Sequence, residues 1–151
     1  MRHFRGDVEM KTSNRATTVW EGSGKQGKGS FNTPSGVLND ATISFKKRFE
    51  GEHGTNPEEI IAAARSGCFS MALAVQLEQA GFTTEWLETT AVVTLEKVGD
   101  GFAITRSELS LQARVPGIER EAFGEIAEKA KSGCPVSKLL NAAISLDWTL
   151  L

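Results

Sequence analysis

Tyrosine is absent from this chain, cysteine and histidine occur twice each, and the formal net charge is only −2 in 151 residues. No function attaches to the missing tyrosine. The near-neutral charge gives no electrostatic reason to expect nucleic acid or an acidic membrane surface as a partner. No unbroken apolar run reaches the ~18 residues of a bilayer-spanning helix, so no membrane partner is expected. Residues 1–10 include basic residues but no apolar h-region, so they do not read as a secretory signal. The expected location is cytoplasmic, where thiols stay reduced and structural disulfides are rare.

The two histidines exclude further chemistry. His3 falls in an N-terminal tail and His53 in a loop. Together with Cys68 and Cys134 they make four nominal zinc ligands, but no C-x-x-C or H-x-x-x-H spacing supports a metal site. No metal and no cofactor are expected, and no Ser-His-acid constellation can be built. Residues 22–27 fit G-x-G-x-x-G, and residues 22–28 nearly fit a P-loop. Both phosphate motifs need a helix directly after the glycines. Here Phe31-Asn32-Thr33-Pro34 follows, so the segment reads as a hairpin turn.

The remaining pattern is that of one domain, with residues 1–14 a disordered lead and 15–151 the folded part. Residues 17–20 and 28–33 form a hairpin. Residues 43–49 alternate with period two and read as a strand, with Arg48 on the opposite face from Ile43, Phe45 and Phe49. Asn56-Pro57-Glu58-Glu59 is a helix start, with a cap, a proline at the first helical position and an acid at the third. That helix runs to about residue 80, stops at Gly81 and is about 35 Å long. It is apolar or small on all sides over residues 60–75, which demands burial all round. One short chain has too few elements to wrap it, so a second subunit is expected. Residues 89–98 and 102–115 form a second hairpin, with a bulge between Ile104 and Leu109. An amphipathic helix over 120–131, a short helix over 135–141 and a strand over 143–150 complete an α+β fold of helices on antiparallel sheet.

The two cysteines carry the functional question. A thiol reacts as the thiolate, so its pKa must fall for work at neutral pH. Cys134 precedes Pro135 at a helix start, where the helix dipole lowers a thiol's pKa. Cys68 lies mid-helix and needs a cation; Arg48, Arg65 and Arg114 are the candidates, and Arg65 shares the Cys68 helix face. On residues alone three readings stay open: a disulfide, a redox pair, or two inert core residues.

The strings Arg48-Phe49-Glu50-Gly51, Gly54-Thr55-Asn56-Pro57-Glu58-Glu59, Cys68-Phe69-Ser70-Met71, Gly101-Phe102-Ala103-Ile104-Thr105, Val115-Pro116-Gly117-Ile118 and Lys131-Ser132-Gly133-Cys134-Pro135-Val136-Ser137 occur in order across the chain. In these the chain resembles the OsmC-type branch of the OsmC/Ohr family of thiol peroxidases, over about residues 17–150. It departs from that pattern at Arg65-Ser66-Gly67, where mostly small or histidine-containing residues are expected. The resemblance implies an intertwined homodimer, antiparallel sheets wrapped around long buried central helices, and reduction of organic hydroperoxides. It puts the peroxidatic role on Cys68, the resolving role on Cys134, the catalytic arginine on Arg48 and its acidic partner on Glu58. It implies a dithiol reductant, with a lipoylated protein as one form. Glu58 and Cys68 are ten residues apart on one helix, about 15 Å along its axis, so Glu58 reaches a Cys68 site most simply from the second subunit, the alternative being a kink near residues 57–59 or a long Arg48 that bridges the gap. The alternative is a non-catalytic dimer of the same fold that binds an apolar ligand or senses oxidation.

Overall fold

The structure, a computed structural model, describes residues 10–151. Most of the expected N-terminal lead, residues 1–9, lies outside the described residues, and residues 10–16 contain no helix or strand. The chain divides into two compact units, residues 1–56 and 57–151.

In the first unit, β1 (Thr17–Glu21), β2 (Lys28–Asn32) and β3 (Ala41–Ile43) form one antiparallel sheet in sequence order. The glycine-rich stretch is the β1–β2 turn, as the sequence predicts. Trp20 pairs with Gly29 across the ladder, and a Cβ at Gly29 would lie 2.7 Å from the Trp20 ring. The glycines therefore make room for an indole rather than for a phosphate. Asp40, at φ 48°, turns the chain into β3, and its backbone amide donates to Asn32 Oδ1 at 3.0 Å.

Residues 43–49 correct the sequence reading. The strand ends at Ile43, and α1 (Phe45–Phe49) follows. Ser44 decides the change: its hydroxyl accepts the Lys47 amide at 3.2 Å, capping the helix. Lys46, Lys47 and Arg48 occupy the last turn, where cations complement the helix dipole. Phe45 and Phe49, spaced for a strand face, are equally spaced for one helix face, and their rings meet at 4.8 Å. Arg48 thus stands on a helix.

The second unit begins with α2 (Pro57–Gln79), which stops before Gly81 at φ 91°. Next come the long hairpin β4 (Trp86–Val98) and β5 (Gly101–Arg114), then α3 (Arg120–Gly133), α4 (Pro135–Leu139) and β6 (Ala143–Leu150). The predicted bulge falls at Thr105: Thr94 faces Arg106 while Leu95 faces Ile104. β6 departs from the antiparallel expectation. It pairs parallel to β5, because α3 and α4 carry the chain back to the starting end of that strand. The sheet is therefore mixed, within an α+β fold.

The core joins one stripe of α2 (Phe69, Leu73, Leu77), the inward positions of β5 (Leu109, Leu111, Ala113), and Phe123, Ala127 and Ala130 of α3. The α2 stripe has a spacing of four and also includes Arg65. The rest of that helix differs: Met71 is 72 % exposed and Val75 47 % exposed. A single chain buries one face of α2 and leaves another apolar face open. Small residues between its larger ones make α2 apolar and long enough to cross a membrane by length and composition. Counting unbroken apolar runs does not register this. Here it packs on β4, α3 and α4, with a charged Arg65 held inside the fold.

Candidate active site

Two elements bring the thiols together. Cys68 lies near the middle of α2, half-buried. Cys134 is the residue at which α3 ends and α4 begins, and it is fully buried. Both are free, and each acts on the other's titration, so the two side chains are neighbours. Neither thiol is isolated in the core.

Arg65, three residues before Cys68, completes the cluster. Its side chain is 0 % exposed. Nε donates to Ser107 Oγ at 3.3 Å, and Nη1 donates to Cys134 Sγ at 3.1 Å. Nη2 is buried without an acceptor. The i, i+3 spacing placed Arg65 beside Cys68, but its hydrogen bond goes to the other thiol. Arg114, the third candidate cation, is exposed on β5 and pairs with Glu85 at 3.7 Å.

Ser137 stands on the other side of Cys134, with Oγ 3.2 Å from Sγ. Its hydroxyl also donates to the Lys131 carbonyl. One hydroxyl hydrogen cannot serve both at once. The main-chain amide of Ser137 lies on the same side and favours the charged form of the sulfur. Ser107 and Ser137 escaped the sequence reading. Ser107 occupies an inward position of β5 among leucines, a polar residue in an apolar alternation. Ser137 is the third helical residue after Cys134, where a capping group meets the helix.

The electrostatics separate the two thiols. Burial pushes Cys68 up; the amide of Val136 and the Arg65 charge pull the other way, while the hydrogen bond to Cys134 and its charge add to the rise. The net result is above the ordinary value. Burial also pushes Cys134 up, but the Ser137 side chain, the Ser137 amide, the Cys68 hydrogen bond and the Arg65 charge outweigh it. Cys134 ends below the ordinary value. Of the two thiols, Cys134 is the more acidic.

Of the other predicted residues, Glu58 stands apart from the pair along its own helix. Glu58 is buried in the first turn of α2, ten residues from Cys68, so about 15 Å of helix separates them. Arg48 belongs to the first unit, on α1, with its guanidinium 5.3 Å from the centre of the Phe49 ring. Among the described residues no cluster of three or more His, Cys, Asp or Glu side chains could hold a metal.

Comparison with known proteins decides the family. Residues 49–149 match the family described as OsmC-like protein. The chain belongs to the OsmC-like family. It is 55 % identical to the peroxiredoxin OsmC of Escherichia coli over 141 residues, 93 % of this chain and 99 % of that one. It is 30 % identical to the organic hydroperoxide resistance protein OhrB of Bacillus subtilis over 81 % of this chain and 88 % of that one. The crystal structure of OhrB superposes with a TM-score of 0.66 at 27 % identity, covering 89 % of this chain and 98 % of that one. An OsmC-like protein of unknown function from Vibrio cholerae shares the fold at a TM-score of 0.72 and 15 % identity, covering 92 % and 100 % of the two chains. The fold expected from the sequence strings is therefore the OsmC-like one.

Proposed function

We propose that this OsmC-like chain is a cysteine-based peroxidase that reduces organic hydroperoxides to alcohols. The observation that carries this reading is the proximity of Cys68 and Cys134, two free thiols far apart in sequence. The relatives' names, peroxiredoxin and organic hydroperoxide resistance protein, support it.

The roles divide by access. Cys134 is fully buried, while Cys68 is reachable from solvent. Cys68 therefore meets the peroxide. Its thiolate attacks the distal oxygen, the O–O bond breaks, and the alkoxide leaves as the alcohol after taking up a proton. Cys68 becomes a sulfenic acid. The Cys134 sulfur attacks the Cys68 sulfur, hydroxide leaves as water, and a disulfide forms. Prompt resolution keeps Cys68 from the irreversible sulfinic and sulfonic states. Arg48 stabilises the Cys68 thiolate and the charge that develops on the peroxide, and Glu58 orients that guanidinium. With about 15 Å between Glu58 and Cys68 on one helix, Glu58 serves the Cys68 of a second subunit. A homodimer and a cytoplasmic setting with a dithiol reductant complete the proposal.

The test is stopped-flow consumption of cumene hydroperoxide by the reduced protein and its Cys68→Ser and Cys134→Ser variants. Cys68→Ser is expected to abolish the reaction. Cys134→Ser should give one turnover and a sulfenic acid. Arg48→Lys and Glu58→Gln should slow the burst by about tenfold or more. If the unsubstituted protein consumes peroxide no faster than free cysteine, the chain is not a peroxidase and the reading of a binding or sensing dimer replaces it.

A further inference from the structure

Arg65 is buried, and among the described residues no carboxylate pairs with it. Its partners are the neutral Ser107 hydroxyl and the Cys134 sulfur, and Nη2 has none. A guanidinium cannot shed its charge in a protein, and a buried charge requires an opposite one. Of the groups Arg65 hydrogen-bonds, Cys134 alone can become an anion. Accessibility runs the other way: Cys134 is sealed at 0 % exposure and Cys68 is half-buried.

We propose that Arg65 is a positioning residue that holds Cys134 as a buried thiolate, and thereby directs the dithiol reductant to Cys68. The proposal rests on the Cys68–Cys134 disulfide of the peroxidase reading and adds the direction in which that bond is opened. In thiol–disulfide exchange the more acidic thiol leaves faster. A reductant thiolate attacks Sγ of Cys68, the Cys68–Cys134 bond breaks, and the electron pair departs on Cys134 as a thiolate paired with Arg65. The reductant's second thiolate then attacks its own sulfur in the mixed disulfide and releases Cys68 as a thiolate. The dithiol is oxidised by two electrons to a cyclic disulfide, the protein disulfide gains those two electrons, and the dithiol's protons pass to solvent and to Cys68.

The groups facing Cys134 agree with this direction. From α2 come the Arg65 charge and the Cys68 thiol, and from α4 the Ser137 hydroxyl and amide. The Lys131 ammonium of α3 is engaged by Glu128 at 2.7 Å, and only its carbonyl reaches the cluster, through Ser137. The lowered pKa of Cys134 and the raised pKa of Cys68 point the same way.

Two measurements test it without peroxide. First, the disulfide is made with diamide and opened with limiting glutathione, then quenched in acid and mapped by mass spectrometry. Glutathione is expected on Cys68, with Cys134 free. Glutathione on Cys134, or shared equally, overturns the proposal. Second, thiolate absorbance near 240 nm is titrated in Cys68→Ser protein carrying Arg65, Arg65→Lys or Arg65→Met. The midpoint should rise by about one pH unit in Arg65→Met and by less in Arg65→Lys, which keeps the charge. An unchanged midpoint in folded Arg65→Met overturns the proposal. If Arg65→Met fails to fold, the Arg65→Lys midpoint and the glutathione map decide. If instead peroxide never oxidises the protein, the peroxidase reading falls while these two results stand.

Discussion

Ser137 Oγ lies 3.2 Å from Cys134 Sγ and also hydrogen-bonds the Lys131 carbonyl, its one hydrogen serving one acceptor at a time. The hydroxyl therefore ties the end of α3 to the start of α4 across the cysteine. Ser137→Ala removes that tie and one donor near the sulfur. The expected loss is about 1 kcal/mol of stability. The Cys134 thiolate midpoint should rise, by less than in Arg65→Met. Urea unfolding and the 240 nm titration read the two effects. A fall in the midpoint would mean that the hydroxyl serves the neutral thiol, and the assignment of Ser137 as a thiolate donor would be wrong.

The opposed pKa shifts predict opposite dependences of stability on pH. Cys134 is held below the ordinary thiol value of 9.0 in the folded state. Its contribution is fully present above the unfolded value and is lost as pH falls through the folded one. Cys68 is raised above 9.0, so its contribution is present below the unfolded value and lost as pH rises through the folded one. Urea unfolding of Cys68→Ser with and without Cys134→Ser, from mildly acidic to alkaline pH, isolates the first term. The gap between the two should widen as pH rises and level off above the unfolded thiol value. A gap independent of pH would show that Cys134 is a neutral thiol throughout.

Much of this was legible in the sequence. The glycine turn, the α2 start and stop, the Thr105 bulge and β6 all follow from local rules, because each is written within a few residues. The α1 helix was not, since Phe45 and Phe49 satisfy both periods and Ser44 alone breaks the tie. The parallel pairing of β6 depends on where α3 and α4 deliver the chain, which no local pattern records. Spacing found Arg65 but not its partner. Its helix face was readable from the i, i+3 rule, while the approach of Cys134 comes from the packing of α4 on α2.

Trp148 is wedged above α3. Its ring meets Phe123 edge-on at 5.1 Å and the Arg120 guanidinium at 4.8 Å, and a Cβ at Gly124 would lie 3.0 Å from its Cζ2. Gly124→Ala gains helix propensity of about 1 kcal/mol but forces the indole outward against both neighbours. A net destabilisation of about 1 kcal/mol is expected in urea unfolding. A variant more stable than the parent would show that the ring shifts freely, and Gly124 would then have no packing role.

Met71 and Val75 extend the apolar surface of α2 beyond the stripe that the chain buries. A long helix this apolar is stable in water when its open face is covered, and a second copy of the chain covers it in the proposed dimer. Met71→Glu places a charge in that contact. It should convert a dimer to a monomer in sedimentation velocity and lower the melting temperature. The parent's melting temperature should also rise with protein concentration, as mass action requires of a dimer that unfolds to monomers. A parent that sediments as a monomer at micromolar concentration would remove the second subunit. Glu58 could then not act on Cys68 across an interface, and the peroxidase reading would have to work without it.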